Sequence, residues 1–182
     1  MNDYGVVTEP TSIRFERLLP GPIERVWSYL TDSEKRGLWF SSGPMELRVG
    51  GKVEHVFHNS KLTKHDDRPP EKYARHGGEV RMQGQVLACE PPRLLAYTFG
   101  STEDGDAGSE VRFELTPHGD QVLLVLTHTH LSNYEALIGV AGGWHTHLGI
   151  LADRLGDQEP QPFWKTYTRM EQEYEARIPR PD

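Results

Sequence analysis

The chain has 182 residues, of which 36% are hydrophobic and 26% are charged, and its formal charge at pH 7 is −7. This composition can build one hydrophobic core and excludes a disordered chain, while the negative charge argues against a nucleic-acid partner. A single cysteine excludes an internal disulfide framework, and the absence of a long apolar run or a signal-peptide pattern predicts a cytoplasmic protein without a membrane-spanning segment.

The first part of the chain predicts a strand followed by two short helices. Residues 1–11 are expected to form a polar leader, and residues 12–19 alternate in polarity as a strand does. The prolines and glycine at 20–22 end this strand and favour the start of a helix. Apolar residues then recur at helical spacing over 23–30, and a second short helix is expected over 32–40.

Beyond residue 44 the apolar period changes to two, which is typical of strands. Gly50 and Gly51 mark a tight turn between the first two of these strands. The stretch 58–78 is polar and aperiodic, and we expect a long loop there that is either a lid or simply mobile. Short connections between successive strands indicate an antiparallel meander. The strands are predicted at 45–49, 53–57, 80–86, 95–99, 111–115 and 122–131.

A long amphipathic helix is predicted over 142–155, beginning at a pair of glycines. At 100° per residue, Trp144, Leu148, Leu151 and Leu155 form one apolar stripe. An antiparallel sheet followed by one such helix must bury that stripe against the sheet.

The last segment, 159–182, is predicted to be a C-terminal extension with an additional amphipathic helix at about 162–177. Apolar residues recur there at helical spacing, and such a helix needs a surface on which to pack. It can cover its own domain or contribute to a homodimer contact.

Six segments of the chain carry a resemblance to a known family. They are PGPIERVWSYLTD at 20–32, LWF at 38–40, LRVGGKV at 47–53, CEPPRLLAYTF at 89–99, LTHTHL at 126–131 and GWHTHLGILADRL at 143–155. Their order and spacing resemble the START-like (SRPBCC) superfamily, and within it the family named after the activator of the heat-shock-protein-ninety ATPase. The resemblance implies a helix-grip fold over 12–158, which is an α+β domain. In it, a curved antiparallel sheet of about seven strands wraps around a long C-terminal helix, and two short helices follow the first strand.

The resemblance also implies an internal apolar cavity between sheet and helix, in which members of the superfamily bind hydrophobic small molecules. We expect this chain to bind such a molecule without catalysing a reaction. Tyr97, His128 or His147 would orient a polar group of the ligand. Two alternatives remain open: a polyketide-cyclase- or hydrolase-like enzyme that uses the cavity histidines, and a co-chaperone-like module that binds protein partners. The predicted cavity lining is Trp39, Phe40, Phe57, Tyr97, Phe113, His128, Trp144, His147, Leu148 and Leu151.

The histidine pairs of this chain do not predict a metal site. His128 and His130 would share one face of a strand, whereas His145 and His147 lie about 160° apart around a helix. No carboxylate lies at ligand spacing, so we expect neither a metal nor another cofactor. Cys89 has no base nearby in the sequence and is expected to be a packed thiol, and no catalytic residue is assigned.

Overall fold

The computed structural model describes residues 2–65, 67–101 and 107–182, and it shows a sheet wrapped around a long helix. The strands are β1 (Val6–Glu9), β2 (Ser12–Pro20), β3 (Lys52–Phe57), β4 (Val80–Glu90), β5 (Leu94–Ser101), β6 (Ala107–His118) and β7 (Gln121–Thr129). The helices are α1 (Ile23–Thr31), α2 (Ser33–Arg36), α3 (Tyr134–Leu155) and α4 (Phe163–Arg177), with two short 3₁₀ turns at Asn59–Lys61 and Glu71–His76.

The predicted α+β helix-grip fold is confirmed. The seven described strands are antiparallel and follow the spatial order β1-β2-β7-β6-β5-β4-β3. Strands β2 and β7 pair without interruption from Ile13 opposite His128 to Pro20 opposite Gln121. Alternate residues of β7 are buried, because side chains of a strand point in turn to the two faces of a sheet and α3 covers one of them. The predicted stripe of α3 is buried throughout: Trp144, Leu148, Leu151 and Leu155.

Helix α3 begins eight residues before the predicted start at 142. Asn133 caps it, since its side-chain Oδ1 accepts a hydrogen bond from the backbone N–H of Ala136 at 2.8 Å. Gly142 therefore lies in the middle of the helix, at the contact between α3 and α4. A Cβ atom at this position would lie 3.3 Å from the backbone nitrogen of Glu171. The glycine permits a close approach of two helices and does not mark a helix boundary.

One predicted strand is wrong, and one strand was not predicted. Residues 45–49 make only an isolated bridge, between Met45 and Val53, before the chain turns. Leu47 and Val49 are exposed, so the alternating apolar side chains that predicted a strand are not buried against another element. Conversely, the segment expected to be a polar leader contains β1, which pairs with β2 as an edge strand.

Helix α4 packs on α3 within the same chain. Its apolar side chains recur at helical spacing and are buried: Phe163, Trp164, Tyr167, Met170 and Tyr174. The Tyr174 hydroxyl accepts a hydrogen bond from the backbone N–H of Gly5 at 2.7 Å, which links the N-terminal segment to this helix. Among the described residues, no helix is long and apolar enough to cross a membrane.

Candidate ligand-binding site

The ten residues predicted to line a cavity come together between the sheet and α3. Each is at most 8% exposed. The sheet supplies Phe57 from β3, Tyr97 from β5, Phe113 from β6 and His128 from β7. Two more follow α2, and α3 supplies the remaining four. The ten are Trp39, Phe40, Phe57, Tyr97, Phe113, His128, Trp144, His147, Leu148 and Leu151.

Most of this space is filled by an aromatic cluster centred on Phe40. The ring centroid of Phe40 lies 4.8 Å from that of Trp144 and 4.9 Å from that of His147. It also lies 5.3 Å from the ring of Trp39 and 5.0 Å from the ring of Phe57. Ring contacts at these distances are those of a packed interior. Most of the ten residues therefore pack against one another.

His128 takes part in a hydrogen-bonded chain inside this interior. The indole N–H of Trp144 donates to its Nδ1 at 2.9 Å. Its Nε2 therefore carries the proton, which is donated to the hydroxyl of Ser109 at 2.6 Å. Burial lowers the pKa of His128 to about 3, because a charged imidazole would lose its hydration there. His130, which was expected on the same face, is exposed, because β7 ends at Thr129 and His130 has a positive φ of 59°.

A pocket of about 290 Å³ remains at the open edge of this interior, between β3, β4, α3, α4 and the 58–78 segment. We call it the edge pocket. Two of the ten predicted residues, Phe57 and His147, line it. Its lining is mostly aromatic or aliphatic, with a few polar atoms, as in small-molecule sites. The lining residues are Phe57, Asn59, Tyr73, His76, Val80, Met82, Gly143, His147, Phe163, Trp164 and Tyr167.

His147 presents a hydrogen-bond acceptor to the edge pocket. Its Nδ1 lies 2.8 Å from the backbone oxygen of Trp39, which can only accept, so the proton is on Nδ1 and Nε2 carries a lone pair. Nε2 has no hydrogen-bond partner among the described residues and is not closed off by protein atoms. Burial lowers the pKa of His147 to about 4, and the hydrogen bond to Trp39 opposes this change. His147 is therefore neutral at pH 7.

The 58–78 segment is held against α4 by polar contacts beside the pocket, apart from Asp66, which lies outside the described residues. The hydroxyl of Tyr73 donates to the carboxylate of Glu171, and Tyr167 lies 3.1 Å from the same carboxylate oxygen. The Lys72 ammonium lies 3.1 Å from the other oxygen. The indole N–H of Trp164 donates to the hydroxyl of Ser60 at 2.9 Å. We call Tyr73, Tyr167, Lys72 and Glu171 the latch.

Sequence patterns did not reveal Asn59, Tyr73, Trp164 or Tyr167 as pocket residues. Asn59 and Tyr73 lie in the aperiodic segment, whereas the two α4 residues showed only the apolar spacing of a packed helix. Their contacts join positions about 100 residues apart, and no local spacing indicates such contacts. The polar composition of 58–78 was the one available signal, as it suggested a lid.

Other features of the described residues are weaker candidates for a ligand-binding or reactive site in the interior. A larger groove of about 590 Å³ lies outside the sheet–α3 interior, where the two chain ends meet the start of α3. Within the described residues, no group of three histidine, cysteine, aspartate or glutamate side chains could hold a metal ion. Cys89 is half-buried, and burial raises the pKa of its thiol, which disfavours the reactive thiolate.

Comparisons with known proteins agree with this architecture. The family model described as "Activator of Hsp90 ATPase homolog 1-like protein" matches residues 20–156, which end before α4. No curated protein matches the chain in sequence. A solution structure of a protein from Bordetella parapertussis is 46% identical, with a TM-score of 0.81, over 97% of this chain and 91% of that one.

Two further solved structures are more distant. The crystal structure of CalU16 from Micromonospora echinospora is 25% identical, with a TM-score of 0.63, over 91% of this chain and 86% of that one. The solution structure of the Aha1 dimer from Colwellia psychrerythraea is 16% identical, with a TM-score of 0.58. It covers 79% of this chain and 95% of that one, and its likeness shows the fold alone.

Proposed function

The chain belongs to the family of activator of Hsp90 ATPase homolog 1-like proteins, within the START-like (SRPBCC) superfamily, and we propose that it binds a hydrophobic small molecule in the edge pocket. The observation that carries this proposal is the composition of the pocket lining. Phe57, Phe163 and Met82 supply apolar walls, and His147 adds one fixed polar atom. Such a combination gives affinity through apolar burial and orientation through a hydrogen bond.

The size of the pocket limits the ligand and its affinity. A volume of about 290 Å³ suits a molecule of one or two rings. At roughly 0.5 kcal/mol per non-hydrogen atom, a nine-atom ligand such as indole would have a Kd of about 0.5 mM. A larger natural ligand would have to open the latch or extend beyond the pocket, and it would gain affinity from the added contacts.

Binding without catalysis is supported by the state of the interior histidines. Burial lowers the pKa of His128 to about 3 and that of His147 to about 4. An efficient general acid or base has a pKa near the working pH. Both histidines also use ring nitrogens in hydrogen bonds within the protein. These groups suit the orientation of a ligand better than proton transfer.

A pair of glycine substitutions on α3 tests the proposed function. Gly143 lines the pocket, and the nearest side-chain atom to a Cβ there would be Cε2 of Tyr167 at 3.9 Å, so Gly143→Leu can fill the pocket without a backbone clash. Gly149 lies on the same helix, is exposed, has open space around it and does not line the edge pocket. Gly149→Leu is therefore a matched control.

We expect about 5 mM indole to raise the Tm of the wild-type protein and of Gly149→Leu by about 4 °C in scanning calorimetry. This follows from a stabilisation of about 1.4 kcal/mol at tenfold Kd. Gly143→Leu should show less than about a quarter of that rise. An equal rise in all three proteins, or no rise in the wild type, would contradict binding in the edge pocket.

A further inference from the structure

Several hydrogen-bond donors in the lining of the edge pocket are already used within the protein. The strongest donor in the lining, the indole N–H of Trp164, is used by Ser60 at 2.9 Å. The hydroxyl of Tyr73 donates to Glu171, and that of Tyr167 lies 3.1 Å from the same carboxylate oxygen. Because each hydroxyl has one proton, both tyrosines keep only lone pairs for a ligand.

One acceptor in the lining is open to the pocket and lacks a partner among the described residues. It is Nε2 of His147, a residue that is 5% exposed and whose other ring nitrogen is fixed by the Trp39 backbone oxygen. A ligand that fills the pocket removes water from Nε2. The acceptor is then left unpaired at a cost unless the ligand brings a donor.

We propose that the edge pocket selects aromatic ligands that carry an N–H or O–H donor, with Nε2 of His147 as the specificity-determining acceptor. The proposal rests on the function proposed above and names the chemistry of its ligand. Packing fixes the ring of His147, so its Nε2 atom can discriminate between ligands with and without a hydrogen-bond donor. The ring centroid of His147 lies 4.9 Å from that of Phe163 on α4 and 4.9 Å from that of Phe40. Selection follows because an analogue without the donor leaves Nε2 unpaired in an apolar site.

Indole and benzofuran test this selection in the full-length protein, because the two bicyclic molecules have nearly the same size and shape. Indole presents an N–H where benzofuran presents an ether oxygen with lone pairs only. We expect indole to bind at least about tenfold more tightly in calorimetric titrations, since benzofuran would place its oxygen against the lone pair of Nε2. Equal dissociation constants would overturn the selection and leave the binding function standing. Absence of indole binding would overturn both.

Two substitutions separate selection by His147 from its packing role. His147→Phe keeps an aromatic ring between Phe40 and Phe163 but has no acceptor, so the dissociation constants of the two probes should come within about twofold of each other. His147→Gln can still donate to the Trp39 oxygen and accept from the ligand, so it should retain a preference for indole. A purely structural role would weaken both probes equally, and an unchanged preference in His147→Phe would overturn the assignment.

A measurement on the wild-type protein needs no substitution. The ¹⁵N resonance of Nε2 in neutral His147 should move upfield when indole is added, because a lone pair that accepts a hydrogen bond becomes more shielded. Benzofuran should leave that resonance nearly unchanged. A resonance that does not respond to bound indole would contradict the role of Nε2.

Discussion

The histidines of the interior are neutral because burial removes the hydration that a charged ring requires. The pKa of His55 is lowered to about 3, first by burial and then by the positive charge of Arg36. His128 is lowered to about 3, and His147 to about 4. In the unfolded chain each titrates near its ordinary value of about 6.5. Between these values the unfolded state binds more protons than the folded state, so stability decreases as the pH falls below about 6.5.

His128 gives a direct test of this pH dependence. Each such histidine contributes about 1.4 kcal/mol of lost stability per pH unit between about pH 6 and pH 4. Replacement of His128 by Gln removes one of them, while the Gln amide can still accept from Trp144 and donate to Ser109. Urea denaturation of the two proteins at pH 6, 5 and 4 should show a shallower loss of stability in His128→Gln by about that amount per unit. Parallel pH profiles would mean that His128 is not the proton-binding group.

The residues of the hydrophobic interior could be predicted from the sequence, whereas most residues of the edge pocket could not. The stripe that includes Trp144 and Leu148 could be read because helical phase is a local property. Helical phase also separates His145 and His147, whose Nδ1 atoms contact the Tyr174 hydroxyl and the Trp39 oxygen at 2.8 Å each. Asn59 gave no such signal, because its role depends on the return of α4 to the 58–78 segment.

At the scale of elements, two kinds of boundary error have physical causes. A glycine pair was interpreted as the start of α3, whereas Gly142 allows α4 to approach the middle of that helix. Alternating apolar residues predicted a strand over 45–49, but a strand also needs a partner along its length, and pairing there is limited to Met45. Propensity and period do not include such tertiary contacts.

The latch joins the 58–78 segment to α4 beside the edge pocket, and we expect it to limit access to that pocket. Glu171 connects Tyr73, Tyr167 and Lys72, and its side chain is 13% exposed, so the hydrogen bonds from the two tyrosines are partly shielded from water. Lys72 is largely exposed, and its ion pair contributes little. The tyrosine hydrogen bonds to a charged group should carry most of the energy of the latch.

Substitution of Glu171 by Ala should therefore loosen the 58–78 segment. Hydrogen exchange measured by mass spectrometry should become about tenfold faster for the backbone of Glu71–His76, because local opening costs less energy. Strands on the far side of the sheet, such as β2, should exchange at the wild-type rate. Glu175→Ala, an exposed position on the same helix, is the matched control. Equal exchange in Glu171→Ala and the wild type would contradict the role of the latch.

In the whole molecule, the free volume next to the sheet–α3 interior lies at one edge of the helix-grip architecture. The family match covers 20–156, and α4 lies beyond it, yet α4 supplies Phe163, Trp164 and Tyr167 to the pocket. The 46% identical relative from Bordetella parapertussis covers 97% of this chain, so its likeness extends into the α4 region. Sequence period predicted the long helix and most of the strands along the chain, and the family resemblance implied how the sheet wraps around that helix. The position of the free volume could not, since it depends on how the aromatic rings fill the interior.

Ligand binding in the edge pocket can be tested directly by an NMR titration of ¹⁵N-labelled protein with indole, observed at the four tryptophan side-chain N–H resonances. Trp164 lines the edge pocket, whereas Trp27 lies on α1 and outside its lining. We expect a saturable shift of the Trp164 resonance, because the ring of a bound ligand would lie against its indole, and no shift of the Trp27 resonance. A Trp164 resonance that stays in place while Trp27 moves, or four resonances that do not move at saturating indole, would contradict the claim that the edge pocket binds a hydrophobic small molecule.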